Sequence, residues 1–75
     1  MGRNTTRVRN HIRQLRLLSG EMTQQQLADQ IGVTRQTVNA IEGGKYSPSL
    51  EVAFRIAQAF GKPLHEVFEY KADRR

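Results

Sequence analysis

From Val8 to Phe68 the apolar residues recur at intervals of three and four, and the runs break at Ser19-Gly20, Gly32, Gly43-Gly44 and Gly61. That pattern confines the chain to short helices joined by tight turns. Three-four spacing gives a helix one apolar face, and glycine supplies the left-handed conformation that ends a helix. Five helices are predicted. The first uses Val8, Ile12, Leu15 and Leu18 and stops at Ser19-Gly20. The second opens on Thr23-Gln24-Gln25-Gln26, a capping box in which the Thr23 hydroxyl and the Gln26 amide satisfy N–H groups of the first turn, and it buries Leu27, Ala28 and Ile31. Thr34 caps a third helix that buries Val38 and Ile41 and runs out at Gly43-Gly44. Ser49 caps a fourth with Leu50, Ala53, Phe54, Ala57 and Phe60 inward, and Pro63 suits the first turn of a fifth carrying Leu64, Val67 and Phe68. No stretch before Glu66 alternates long enough for a strand, whereas Phe68-Glu69-Tyr70-Lys71 alternates weakly and leaves room for a short C-terminal edge strand. The expected fold is all-α, a compact five-helix bundle. Residues 1–7 are expected to be a flexible basic arm, 8–70 the folded domain and 71–75 a disordered tail.

Seventy-five residues hold one domain, which excludes a two-domain enzyme. There is no cysteine, so neither a disulfide nor a Cys-based zinc site can supplement so small a core, and packing or packing plus dimerisation must supply the stability. No apolar run approaches the roughly 20 residues that span a bilayer, and the start MGRNTTRVRN lacks the apolar segment of a secretory signal. A soluble, cytoplasmic protein without membrane contact is expected. His11 and His65 are lone imidazoles. His65 and Glu69 would share a helix face at i,i+4, but two ligands do not make a metal site. Ser19, Ser47 and Ser49 fall at turn and cap positions with no adjacent base, so no catalytic centre, metal, cofactor or small-molecule ligand is expected.

The formal charge of +5 sits at one end: Arg3, Arg7, Arg9, Arg13 and Arg16 precede any acid, and the rest of the chain is balanced. Such a chain prefers a polyanion, although a charge run is usually a solvated face. The segment 24–43 gives the preference a geometry. Two helices joined by a three- or four-residue turn containing glycine let one helix brace another in the major groove of DNA. Ala28 is small where the helices approach, Gly32 can take positive φ, and Val33, Val38 and Ile41 clamp the second helix of the pair. With Val38 and Ile41 inward, the opposite face presents Gln36, Asn39, Ala40 and Gly43, flanked by Arg35 and Thr37. That face has no acid. Gln and Asn suit adenine, Arg suits guanine, and Ala40 and the Thr37 methyl suit a thymine methyl. The helix start at Gln24 offers N–H groups and an amide to a phosphate, and Lys45 follows closely enough to reach the next.

The run TQQQLADQIGVTRQTVNAIEGGK, followed by SPSLEVAFRIAQAFG, closely resembles the phage-repressor, Cro/CI-like or xenobiotic-response-element family of helix-turn-helix regulators. The resemblance covers about residues 8–69 and rests on order and spacing along that length. More narrowly, TRQTVNAIEGGKYSPSL and the ending VFEY look like short stand-alone regulators of bacteria and archaea, typically homodimers on a near-palindromic operator. The resemblance implies a lambda-repressor-like bundle. It implies base reading by Thr34, Arg35, Gln36, Asn39 and Ala40, backbone holding by Gln24, Gly43 and Lys45, and a tie between Arg16 and Glu42. The sequence departs from the family in three places. The turn Leu18-Ser19-Gly20-Glu21-Met22 is one residue longer than the commonest version, Gly43-Gly44 replaces Asn-Gly or Arg-Gly and leaves only backbone N–H there, and Pro63 stands where Ser is common.

The expected function is that of a sequence-specific transcriptional regulator, a repressor acting as a homodimer on double-stranded DNA. Arg3, Arg7 and Arg9 are candidate arm contacts, and Leu64, Val67, Phe68 and Tyr70 are the expected dimer segment. The rivals are an antitoxin or a restriction-modification controller of the same fold, and a protein-interaction module using the same helix pair on an acidic partner.

Overall fold

The computed structural model describes residues 6–71. Its elements are β1 (Val8–Asn10), α1 (Ile12–Leu18), α2 (Gln24–Ile31), α3 (Arg35–Glu42), α4 (Leu50–Phe60), α5 (Leu64–Val67) and β2 (Phe68–Tyr70). Five helices form in the predicted order, but the first begins at Ile12 and not at Val8, and the fifth ends at Val67, so that Phe68 opens the strand at 68–70. Its partner was not expected. Val8 lies in β1, antiparallel to β2, with Val8 opposite Tyr70, Arg9 opposite Glu69 and Asn10 opposite Phe68.

Asn10 explains the correction at the first helix. Its Oδ1 accepts from the Ile12 N–H at 3.1 Å, so the helix begins at Ile12 and the backbone before it is free to pair as a strand. Backbone bonds outside the strands also hold residues expected in the arm and the tail. The Lys71 N–H donates to the Arg7 carbonyl at 2.8 Å, and the Thr6 N–H donates to the Gly44 carbonyl at 3.2 Å. Arg3 and residues 72–75 lie outside the described residues.

The predicted caps form. The Thr23 hydroxyl and the Gln26 amide complete the capping box, and the Thr34 and Ser49 hydroxyls accept from Thr37 and Val52. Gly32 closes α2 at φ 77° while its N–H and that of Val33 both reach the Ala28 carbonyl, which makes the tight turn into α3. The core is Ile12, Leu27, Ala28, Ile31, Val38, Ile41, Ile56, Ala57 and Val67. It packs α2 against both α3 and α4 and leaves the outer face of α3 clear.

Four apolar residues depart from their expected places. Leu18 is exposed, because α1 is anchored through Ile12 with Leu15 against the core and ends one turn later. On α4 the inward stripe centres on Ile56. Phe54 lies about 200° around the helix from it and Leu50 about 120°, so both face outward, at 51% and 66% exposure. Within the expected dimer segment Val67 is fully buried in the protomer's own core, Leu64 and Phe68 pack partly against it, and Tyr70 is 69% exposed. Among the described residues no helix is long and apolar enough to cross a membrane.

Candidate nucleic-acid interface

Helix α3 is fixed at its start by Thr34, whose Oγ1 accepts from the Thr37 N–H at 3.1 Å and lies 3.0 Å from the Thr37 hydroxyl. It is fixed along its length by Val38 and Ile41, which are buried. The opposite side carries Arg35, Gln36 and Asn39, all exposed, with Thr37 and Ala40 half-buried beside them. These predicted reading residues therefore share one accessible face. Thr34 sits at its edge with its hydroxyl committed to the cap.

The single carboxylate of α3 points the other way. Arg16 grips Glu42 with two parallel bonds, Nε to Oε2 at 2.7 Å and Nη2 to Oε1 at 2.9 Å, and gives Nη1 to the Met22 carbonyl at 2.8 Å. Burial by itself pushes the Glu42 carboxyl up, but the hydrogen bonds from Arg16 and Gln24 and the charges of Arg16 and Arg13 outweigh it and hold the group below its ordinary value. The hydrogen bond to Glu42 likewise raises Arg16 above its ordinary value. The long turn between α1 and α2 does not disturb this pair. Gly20 and Glu21 both take positive φ, at 74° and 58°, which brings the Met22 carbonyl onto the guanidinium.

Gln24, the first residue of α2, extends the network. Its Nε2 donates to Glu42 Oε1 at 2.9 Å, and its Oε1 accepts from Asn39 Nδ2 at 3.3 Å. A residue expected to hold phosphate and one expected to read bases are thus in direct contact. Gly43 is exposed just past α3, with its N–H donating to the Asn39 carbonyl at 3.0 Å. The N–H expected to remain for a phosphate is engaged within the helix end. A Cβ at Gly43 would sit 3.3 Å from that carbonyl, a tight contact with the helix's own backbone. Lys45 is exposed beyond it.

Two contributors were not anticipated. Asn10 Nδ2 donates to the Ile41 carbonyl at 2.9 Å and so caps the last turn of α3 from a strand at the other end of the chain. The sequence signal was an Asn two residues before an apolar helix start, hidden by extending that helix back to Val8. His11 is the second. Because α5 ends at Val67, Glu69 is on β2 and shares no helix face with His65. Its carboxylate meets His11 Nε2 at 3.1 Å instead. Hydrogen bonds to Glu69 and then to Gln14 raise His11 above its ordinary value of 6.5. Arg9 stands on β1 and lines a cleft with Gly43 and Gly44, which brings one predicted arm contact to the end of α3. Among the described residues no group of three His, Cys, Asp or Glu could hold a metal ion.

A helix-turn-helix family profile matches residues 12–67, from the first turn of α1 to the end of α5. The chain belongs to this helix-turn-helix family, of the Cro/CI type. The family is not one of enzymes. Three similar proteins are called uncharacterized HTH-type transcriptional regulators. One, from Methanocaldococcus jannaschii, is 46% identical over 66 residues, covering 88% of this chain and 98% of that protein. One from Methanothermobacter thermautotrophicus is 51% identical over 64 residues, covering 84% and 86%. One from Bacillus subtilis is 44% identical over 61 residues, covering 81% and 91%. The fold of this helix-turn-helix protein also matches the crystal structure of a candidate DNA-binding protein from Bacteroides fragilis, with a TM-score of 0.71 at 22% identity over 83% of this chain and 98% of that one.

Proposed function

We propose that the protein is a sequence-specific DNA-binding transcriptional regulator that inserts α3 into the major groove and represses as a homodimer on a two-fold-related operator. The observation that carries the reading is the acid-free outer face of α3. Glu42, its one carboxylate, is turned inward onto Arg16, so Arg35, Gln36, Asn39 and Ala40 meet a polyanion with no charge opposing them. Thr37 completes the reading face, with Gln24 and Lys45 holding the backbone and Gly43 and Arg9 beside them. The relatives' names point the same way.

Dimerisation is supported by apolar surface left outside the core. Leu50, Leu64, Phe68 and Tyr70 line one open cavity, and Phe54 is exposed on the same helix as Leu50. A second copy covering this surface would supply the second α3 helix that a two-fold-related operator, with half-sites about 34 Å apart, requires.

The test is selection of bound fragments from a random DNA pool at physiological salt. A two-fold-related motif with half-sites about one helical turn apart is the expected result. Salt-sensitive binding without enrichment would overturn sequence-specific regulation and leave a general DNA binder. Sedimentation equilibrium at micromolar concentration checks the dimer, and a monomer there overturns it.

A further inference from the structure

Arg9 and Glu69 stand directly opposite each other across the β1–β2 pair. Opposed side chains of an antiparallel pair share a face and opposite charges there attract, so the register offers Glu69 to Arg9. That ion pair does not form. Glu69 Oε2 meets His11 Nε2 instead, at 3.1 Å, and the other ring nitrogen, Nδ1, lies 3.1 Å from Gln14 Oε1. A ring set between a carboxylate and an amide oxygen donates from both nitrogens, and the form that does so is the imidazolium. Among the described residues Arg9 makes no ion pair, and it lies exposed along the cleft it lines with Gly43 and Gly44, just past α3. Glu42 borders the same cleft but is held by Arg16 and Gln24, which leaves Glu69 as the carboxylate able to change partner.

We infer that His11 is a positioning residue for Arg9: by holding Glu69 it keeps the guanidinium open to a DNA phosphate beside the end of α3. The inference rests on the proposed binding of DNA. It has a direction in pH. The charged groups that face His11 are Glu69 on β2, Arg9 on β1 and Glu42 at the end of α3, with Gln14 beside it on α1. Arg13, also on α1, acts on Glu42, and His65 on α5 lines the apolar cavity that Glu69 also borders. The bonds to Glu69 and then Gln14 raise His11 above 6.5, so the ring stays charged to a pH beyond that. A charge-assisted hydrogen bond is roughly twice as strong as a neutral one, and when the ring loses its proton the advantage passes to Arg9, whose guanidinium stays charged. Arg9 then takes Glu69, and one phosphate contact is lost. DNA affinity is therefore full on the acid side and falls as pH rises through the folded value of His11.

The test measures DNA affinity as a function of salt, from below 6.5 upward through the His11 titration, for wild type, His11→Ala, Glu69→Gln, Arg9→Gln and the His11→Ala, Arg9→Gln double variant. A thermal melt verifies that each variant is folded. Wild type is expected to lose several-fold in affinity as pH rises, for specific and random sequences alike, and about one unit in the slope of log affinity against log salt, the share of one phosphate contact. His11→Ala should show the lower slope throughout and Glu69→Gln the higher one throughout. Arg9→Gln should show the lower slope and make His11→Ala silent. If His11→Ala costs as much in the Arg9→Gln background as it does alone, or if the whole pH dependence survives Glu69→Gln, His11 acts without Arg9 and the inference is overturned. An Arg9→Gln variant with unchanged slope overturns it as well and leaves the reading of DNA by α3 standing. A wild-type protein without salt-sensitive DNA binding overturns the proposed function together with the inference.

Discussion

Within the helix pair α2–α3, the side chains that fix the backbone reach three residues along the chain: Thr23 to Gln26 and back, and Thr34 to Thr37. In and beside the clasp formed by β1 and β2, they reach ten times farther or more. Asn10 bonds Ile41, 31 residues away, and His11 bonds Glu69, 58 residues away. Local caps form as soon as the helix forms and close almost no loop. The clasp must bring the two ends of the chain together before any of its bonds can be made. The presenting unit is therefore self-contained in its turns, while its attachment to the rest of the molecule depends on long-range groups that stand or fall together. The Arg16–Glu42 pair is where the two meet, since it reaches from α1 to the end of α3 and is nearly buried.

That division can be broken most severely at Glu42. Glu42→Ala leaves a guanidinium largely removed from water without its counter-charge, and the expected loss is about 3–5 kcal/mol in urea unfolding, the largest of any single change considered. A loss below about 1 kcal/mol would mean that the local caps alone hold α3 in place. Asn10→Ala comes next. It strips the Ile41 carbonyl and the Ile12 N–H of their partners at once, and about 1–3 kcal/mol of stability should go with them. Hydrogen exchange should locate the loosening at both the start of α1 and the end of α3. Loosening at α1 alone would sever the clasp from α3.

The same division governs what could be read from sequence. Thr23, Gln26, Gly32, Thr34 and Ser49 announced the helix boundaries because a cap or a positive-φ turn is decided by neighbours within four residues. Val38 and Ile41 then fixed which face of α3 stays outside. The strand at Val8 was invisible: a three-residue strand has no periodicity of its own, and its partner lies some 60 residues later in the chain. On α4 the three-four spacing admits Leu50 and Phe54 to the apolar stripe, and only the burial of Ile56 fixes the phase that turns both outward. For the site, residue type and phase were enough to assemble the face. They offered the Gly43 N–H to a phosphate, although it is spent within the helix end, and they could not show the contact between Gln24 and Asn39, which needs two helices at their actual separation.

A cap of the helix pair offers the sharper contrast with the clasp. Thr34→Ala removes the acceptor for the Thr37 N–H, and about 1 kcal/mol is expected in urea unfolding. Thr34→Ser, which keeps the hydroxyl, should restore most of it. A full loss in the serine variant would assign the effect to the threonine methyl and not to the cap.

The smallest effect belongs to the exposed end of the clasp. His11 is held above its ordinary value of 6.5 by its bonds to Glu69 and Gln14. A raised folded value means the charged form is favoured by folding, so the contribution is complete below the unfolded value and disappears as pH rises through the folded one. Stability should therefore fall slightly as pH rises above about 6.5, by less than about 1 kcal/mol because the pair is open to solvent. The low-shifted Glu42 acts in a separate window, losing its contribution only as the solution is made acid and the pH falls through its folded value. Glu69→Gln should flatten the slope near neutrality and leave the acid limb in place. If the slope survives Glu69→Gln, the titrating group is not the His11–Glu69 pair, and the clasp is held near neutral pH by its backbone bonds and Asn10 alone.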